Sequence, residues 1–283
     1  MNERTVFIIG AAGQLGTALR ERYPNAQFAD IGELDITNQA SVEAFDWSGI
    51  SVILNAAAYT NVDGAETDDG RRIAWSVNAQ AVANLAAVAR RINATLVHIS
   101  SDYVFDGSVS EHSESEPLSP LNVYGASKAA GDLVVGQLDA HYIIRTSWVI
   151  GQGKNFVRTM LELGSKGINP SVVNDQIGRL TFTTELVRAI DHLLQTKPKS
   201  GTYNLTNSGT CASWAEIAQQ VFTHAKLSNS VTGVSTEDYY QGKEGIAPRP
   251  LQSSLNLDKI QGTGFSSRDW QDELAEYIAK ELA

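Results

Sequence analysis

A doubly wound α/β fold with a parallel central sheet is what this sequence predicts, on three observations. Short apolar runs alternate with helical patterns through the first half of the chain, as strands joined by crossover helices do. The first run ends in glycines spaced three apart, Gly10, Gly13 and Gly16, which open a helix. No internal repeat and no linker that would separate independent domains interrupts the alternation.

Each element follows from its own pattern. Val6 to Ile9 is apolar at every position and rich in β-branched residues, as a strand covered on both faces must be. Residues 16–23 read as the first helix and residues 52–56 as the next buried strand. An alanine-rich segment, 78–92, carries apolar residues at helical spacing, and strands are expected at 95–100 and 142–145. Beyond residue 150 the alternation weakens, with helices expected over 183–194, 213–225 and 269–282. Residues 108–120 are rich in Ser, Glu and Pro, so an exposed loop is expected there, with Glu111, Glu114 and Glu116 in solvent.

Composition narrows the function classes. A chain of 283 residues with 42% hydrophobic and 19% charged residues can bury a large core. Its net charge of -10 argues against a nucleic-acid partner, which would need a basic face for phosphates. It does not exclude a small phosphate-bearing ligand held at a helix N-terminus. Cys211 is the only cysteine and can form no internal disulfide, which fits a reducing compartment. The first apolar run is too short for a signal peptide and no later one would span a bilayer, so a cytoplasmic protein without a membrane partner is expected.

The glycine segment Gly10-Ala11-Ala12-Gly13-Gln14-Leu15-Gly16 lies between a predicted strand and a predicted helix. That setting lets the backbone turn tightly, approach a pyrophosphate at the helix N-terminus and pack helix against strand, so a Rossmann-like dinucleotide site is expected. An acidic residue about 20 positions on would meet the adenosine ribose; Asp30 and Asp35 both qualify, which leaves NADH and NADPH open.

Tyr124-Gly125-Ala126-Ser127-Lys128 puts a tyrosine and a lysine on one helical face. A phenol titrating near pH 10 needs roughly 4 kcal/mol to reach neutrality. An ammonium about 4 Å away supplies on the order of 4 kcal/mol at an effective dielectric of about 20. Ser100 and Ser101 end a predicted strand at the sheet edge where such folds bind ligands, and either hydroxyl could hold a substrate carbonyl oxygen.

With these residues in place, the chain resembles the dTDP-4-dehydrorhamnose reductases, a branch of the extended short-chain dehydrogenase/reductase superfamily. The likeness runs from Thr5 to about Leu255. It is carried by the glycine segment, by Asn55-Ala56-Ala57-Ala58-Tyr59-Thr60 with Val62-Asp63 and Ala65-Glu66, and by Ser100-Ser101-Asp102-Tyr103-Val104-Phe105-Asp106-Gly107. The Tyr124 to Lys128 segment follows, then Arg145-Thr146-Ser147-Trp148, Asn155-Phe156, Asp175-Gln176-Ile177-Gly178 and Arg249-Pro250.

The resemblance implies NADPH- or NADH-dependent reduction of the C4 keto group of a dTDP-linked 4-keto-6-deoxy sugar. It assigns Tyr124 as acid/base, Lys128 as its tuning and ribose-binding partner and Ser101 as carbonyl ligand. For the cofactor it implies Gly10, Gly13, Gln14, Leu15, Gly16, Asp35, Ile36, Ala56, Ala57, Ala58 and Tyr59 beside Tyr124 and Lys128. For the sugar nucleotide it implies Ser101, Asp102, Val104, Tyr124, Trp148, Asn155 and Arg249, with a core role the alternative for Trp148 and an ion pair for Arg249. On this reading residues 1–148, joined by a segment near 174–205, form the dinucleotide-binding domain, and 149–173 with 206–283 form a smaller substrate-binding lobe.

The chain departs from the family at Ser101, where threonine is usual, at Asp132 for glutamate and at Leu180 for proline, and it matches poorly from Ser228 until Pro248. The five histidines, His98, His112, His141, His192 and His224, have no metal-ligand spacing. Some family members hold Mg2+ at a dimer contact, so a homodimer is compatible, but no matching carboxylate cluster is seen and no metal is assigned. An epimerase or dehydratase on the same scaffold would return its cofactor unchanged, and Ser101-Asp102 lacks the adjacent Asp-Glu pair associated with dehydration. A non-catalytic regulatory subunit is disfavoured because Ser101, Tyr124 and Lys128 are all present.

Overall fold

The first strand, β1 (Val6–Ile9), explains why the sheet needs cover on both sides. Val6 and Ile8 enter one apolar layer with Leu15 and Leu19, while Phe7 and Ile9 enter the opposite layer with Val82 and Leu85. This is the period-two alternation of a strand with no polar face. The computed structural model describes residues 2–283. The chain continues through α1 (Gln14–Arg22), β2 (Gln27–Ala29), α2 (Gln39–Ala44), β3 (Val52–Asn55), α3 (Asp68–Trp75), α4 (Ala81–Ile92), β4 (Thr95–Ser101), α5 (Val123–Val135) and β5 (His141–Thr146). Then follow β6 (Val149–Ile150), α6 (Phe156–Ser165), β7 (Ser171–Val173), β8 (Ile177–Gly178), β9 (Thr181–Phe182), α7 (Thr183–Thr196) and β10 (Gly201–Asn204). The last elements are β11 (Ala212–Ser213), α8 (Trp214–His224), β12 (Thr232–Val234), α9 (Thr236–Tyr240), α10 (Asp258–Gln261) and α11 (Trp270–Glu281).

Six strands form one parallel sheet in the order β2-β1-β3-β4-β5-β10. The fold is therefore doubly wound α/β, Rossmann-like. The order reverses between β1 and β3, which opens a crevice at their carboxyl ends. After Thr183 the chain returns to this sheet: Leu186, Ile190 and Leu193 of α7 join the layer that holds α1, and β10 pairs with β5. A separate apolar cluster, with fully buried Trp270, Val157, Ile217 and Phe222, forms the core of a smaller lobe. Its helix α8 starts with a capping box, the Ser213 hydroxyl accepting from the Glu216 amide and the Glu216 carboxylate from the Ser213 amide. Among the described residues no helix is long and apolar enough to cross a membrane.

Three elements differ from the sequence pattern. Helix α1 starts at Gln14, two residues before the expected 16, because Gly13 takes the extended N-cap position. The helix expected from Asn78 becomes regular only at Ala81, and Ser76–Gln80 is a π-turn. Residues 108–120 are not simply exposed. His112 is fully buried, stacks on Phe105 with centroids 4.6 Å apart and shares a hydrogen bond with Glu116, and its backbone pairs with Ser254 and Asn256. Glu114 accepts from the Asn204 amide at 2.9 Å. Glu114 therefore pins this loop to the body of the protein, as does Glu111, which accepts from Asn256 Nδ2 at 2.9 Å, while Glu116 holds His112 within the loop.

Candidate active site

The glycine segment sits at the sheet's reversal point, and packing dictates two of its three glycines. Gly10 has φ +76°, and a Cβ there would lie 2.6 Å from the Ala57 amide nitrogen. A Cβ on Gly16 would lie 2.0 Å from the Gly10 carbonyl oxygen, so helix and turn could not meet. Gly13 is clear except for the Gly10 oxygen at 3.3 Å, which leaves its outer face open to a ligand. The first turn of α1 carries no acidic residue and no side-chain cap, so its amides are free to receive a pyrophosphate. The residues fit a dinucleotide.

The crevice beside this turn is lined by Gly10, Gly13, Asp30, Asp35, Ile36, Ala56, Ala57, Ala58 and Tyr59. It runs into a second cleft through the shared Gly13, Ala56 and Ala58. That cleft is lined by Gln14, Leu15, Ser101, Asp102, Tyr124, Lys128 and Trp148, together with Ser100, Thr146 and Ser147. Ser101 thus faces the same space as the neighbouring Tyr124 and Lys128, although it lies 23 positions before Tyr124. Four of its side chains carry buried polar atoms without a hydrogen-bond partner among the described residues: Gln14 Oε1, Ser100 Oγ, Asp102 Oδ2 and Thr146 Oγ1. Orphaned groups at this density mark a surface built to bind a polar ligand.

Helix α5 brings Tyr124 and Lys128 to the cleft through local devices. The Asn122 side chain caps it by accepting from the Gly125 amide at 2.7 Å and donates to the Pro248 carbonyl at 2.7 Å. Gly125 is needed because a Cβ there would sit 2.1 Å from the Tyr103 carbonyl oxygen. The Ser127 hydroxyl donates to the Tyr124 carbonyl and accepts from Asn78 Nδ2 at 3.0 Å. Asn78 also grips the Tyr59 backbone, donating to its carbonyl at 3.0 Å and accepting from its amide at 2.9 Å. The π-turn therefore ties the crevice to the tyrosine helix through one residue, which no sequence signal beyond a polar residue in an alanine-rich segment announced.

Burial controls the electrostatics. It pushes the Tyr124 phenol up to about 12, opposed by the Ser101 hydrogen bond, and lowers Lys128 to about 8, opposed by the charge of Asp132. The Lys128 ammonium donates to the Ile99 carbonyl. The expected lowering of the phenol by Lys128 is absent from the forces on it: desolvation dominates, the Ser101 hydrogen bond alone opposes it, and Tyr124 keeps its proton at neutral pH. Inside the sheet, fully buried His98 shares a hydrogen bond with Asn55 Nδ2, and burial holds it neutral, well below its usual range.

Ser101 Oγ donates to Asp102 Oδ1 at 3.0 Å and accepts from the Tyr103 amide at 3.1 Å. Burial pushes Asp102 up to about 6, from an ordinary value of 3.8. Its folded pKa being raised, Asp102 favours the folded state when protonated, and this contribution fades as pH rises from about 4 to about 6. Asp102→Asn, neutral at every pH, is therefore expected to gain roughly 2–3 kcal/mol of stability at pH 8 and almost none at pH 4. Urea unfolding at both pH values checks this; no gain at pH 8 would contradict it.

Trp148 adopts φ +48° and stacks on Trp214, with centroids 3.9 Å apart and planes inclined by 21°. A Cβ on Gly178 would come within 3.0 Å of its ring. Three residues expected to contact substrate are not among those lining this cleft. Val104 is fully buried with Phe105, Ala129 and Leu255. Asn155 caps α6, accepting from the Arg158 amide, and its Nδ2 donates to the Gly151 and Gly153 carbonyls and the Tyr277 hydroxyl. Arg249 pairs with Asp63 at 2.8 Å, donates to the Ala247 carbonyl and lies over the Tyr240 ring.

Known proteins resemble this chain over nearly its whole length. A family profile described as the RmlD substrate binding domain matches residues 4–283. The Bacillus subtilis spore coat polysaccharide biosynthesis protein SpsK is 37% identical, over 96% of each chain. A dTDP-4-dehydrorhamnose reductase of Aggregatibacter actinomycetemcomitans is 38% identical, over 95% of this chain and 96% of its own. The crystal structure of a dTDP-4-dehydrorhamnose reductase from Bacillus anthracis, in complex with NADP, superposes with a TM-score of 0.89 at 37% identity, covering 98% of both chains.

Proposed function

The chain belongs to the RmlD family, that of the dTDP-4-dehydrorhamnose reductases, and on this premise we propose that it reduces the C4 keto group of dTDP-4-dehydrorhamnose to give dTDP-rhamnose. The observation that carries this reading is the meeting of Ser101, Tyr124 and Lys128 in one cleft, continuous with the crevice over the glycine turn. A bound NADPH or NADH supplies the hydride. Tyr124, protonated at neutral pH, gives its proton to the carbonyl oxygen as negative charge develops there. The Ser101 hydroxyl holds that oxygen by turning its single proton from Asp102 Oδ1 to the carbonyl. Lys128, charged below about pH 8, stabilises the phenolate left behind. In this assignment residues 1–148, with a segment near 174–205, bind the dinucleotide, and residues 149–173 and 206–283 supply the sugar-nucleotide side, with Trp148 as a wall at the junction.

Loss of reduced-nicotinamide absorbance with dTDP-4-keto-6-deoxy sugars tests the reaction. Net consumption distinguishes a reductase from an epimerase or dehydratase, and cofactor binding without turnover on any keto sugar would defeat the proposal. In the same assay, kcat/KM for the dinucleotide, which reports on the free protein, is expected to fall above pH 8 as Lys128 loses its charge. A profile flat to pH 10 would rule out that role for Lys128.

A further inference from the structure

We infer that Trp214 is a positioning residue for the sugar nucleotide, an inference that rests on the reductase reading and on Trp148 lining the cleft. Trp214 does not line that cleft; it acts by stacking on Trp148 and holding the indole in place as a wall. Trp148 cannot keep this place by itself. Its φ of +48° lies in the left-handed region, which is unfavourable for a bulky side chain and persists only where the surroundings fix it.

A short ladder supplies those surroundings. Strand β8 pairs antiparallel with β11, setting Gly178 opposite Ala212 and Ile177 opposite Ser213, and Trp214 follows at the first position of α8. Two contacts thereby converge on one indole. The Trp214 ring lies 3.9 Å away between centroids, and a Cβ on Gly178 would lie 3.0 Å from Trp148 Cζ2 and 3.1 Å from Cε2. The Thr181 amide donates to the Trp148 carbonyl at 3.2 Å, so the backbone is held as well as the ring. Trp214 is fixed in its turn by Phe156, which opens α6 and packs on it with centroids 4.4 Å apart. Phe156, Trp214 and Trp148 all pack against the apolar core of the small lobe, and Trp148 alone of the three reaches the cleft. The start of α8 does not depend on the Trp214 side chain, because its capping box belongs to Ser213 and Glu216. With Trp214 shortened, nothing flat opposes Trp148, and the indole can leave its left-handed position. The sugar then meets a mobile wall, which weakens its binding in the ground state and the transition state alike.

The test is a double-mutant cycle on the full chain, read in steady-state rates with a dTDP-4-keto-6-deoxy sugar. Trp214→Leu is expected to raise KM for the sugar nucleotide by about 10-fold, with kcat and dinucleotide affinity within about threefold, since uniform binding moves KM alone. Trp214→Phe, which keeps a ring to stack, is expected to restore most of the loss. In a Trp148→Ala background, Trp214→Leu should change KM by less than about twofold, because its effect passes through the missing indole. Circular dichroism follows the stack itself: two indoles this close couple, and their exciton band should vanish in Trp214→Leu and in Trp148→Ala alike. An unchanged KM in Trp214→Leu, or an equal rise with Trp148 already removed, would overturn the role of Trp214 while leaving the reductase reading intact. A fall in kcat and dinucleotide affinity without a rise in KM would overturn it too, by showing that the ring serves only folding. No turnover of any keto sugar by the unaltered chain would overturn both.

Discussion

Tyr124→Phe is expected to lower kcat by about 10³-fold, inside the range of roughly 10²–10⁴ that a positioned proton donor contributes. Only the phenolic oxygen is removed, and the ring keeps its place at the start of α5, edge-on to Tyr103 with centroids 5.7 Å apart. The shape of the cleft and its helix cap are unchanged, so dinucleotide affinity should move by less than about fivefold. Steady-state rates and calorimetric titration of the same variant separate the two effects. Because burial places the phenol at about 12, no ionisation of Tyr124 itself should appear in the wild-type profile below pH 10. Turnover within tenfold of wild type in Tyr124→Phe would remove the phenol from the proton path and leave Ser101 or the buried Asp102 as donor.

The parts of this protein readable from sequence are those whose partners are close along the chain. Strand β1 was legible because a strand covered on both faces needs an unbroken apolar run, and the glycine turn because Gly16 answers a contact with Gly10 inside the turn itself. Tyr124 and Lys128 share a helical face by spacing alone. What escaped depends on partners far away. The π-turn at Ser76–Gln80 follows from Asn78 reaching Tyr59 and Ser127, 19 and 49 residues off, while its alanine-rich sequence keeps a helical period. His112 lies in a stretch whose composition says loop, yet its side chain contacts the Gln252 carbonyl, 140 residues on. The phenol's direction of titration escaped for the same reason: the attraction of a lysine can be estimated from spacing, but desolvation is fixed by everything that buries the helix.

Asp132→Ala is expected to be the most destabilising of the substitutions considered, at about 3–5 kcal/mol. Asp132 lies one turn beyond Lys128 on α5 and accepts from Arg145 Nε at 2.9 Å, with both side chains nearly inaccessible. Arg145 also lies over the Phe105 ring and donates to the Glu114 carbonyl, so it cannot swing out to water when its partner is lost. An unpaired guanidinium beneath the cleft is the source of the cost. Asp132 has a second role, because its charge opposes the desolvation that lowers Lys128 to about 8. Removing it should carry the basic limb of the pH profile below 8, whereas Asp132→Glu should restore both properties in part. The double variant Asp132→Leu with Arg145→Met separates them. A buried pair replaced by apolar groups loses little stability, so urea unfolding should recover most of the loss. The limb should nevertheless stay below pH 8, since Lys128 still lacks its anionic neighbour. If the limb returned to 8 together with stability, Asp132 would matter only for folding, and the charge of Lys128 would be set by burial alone.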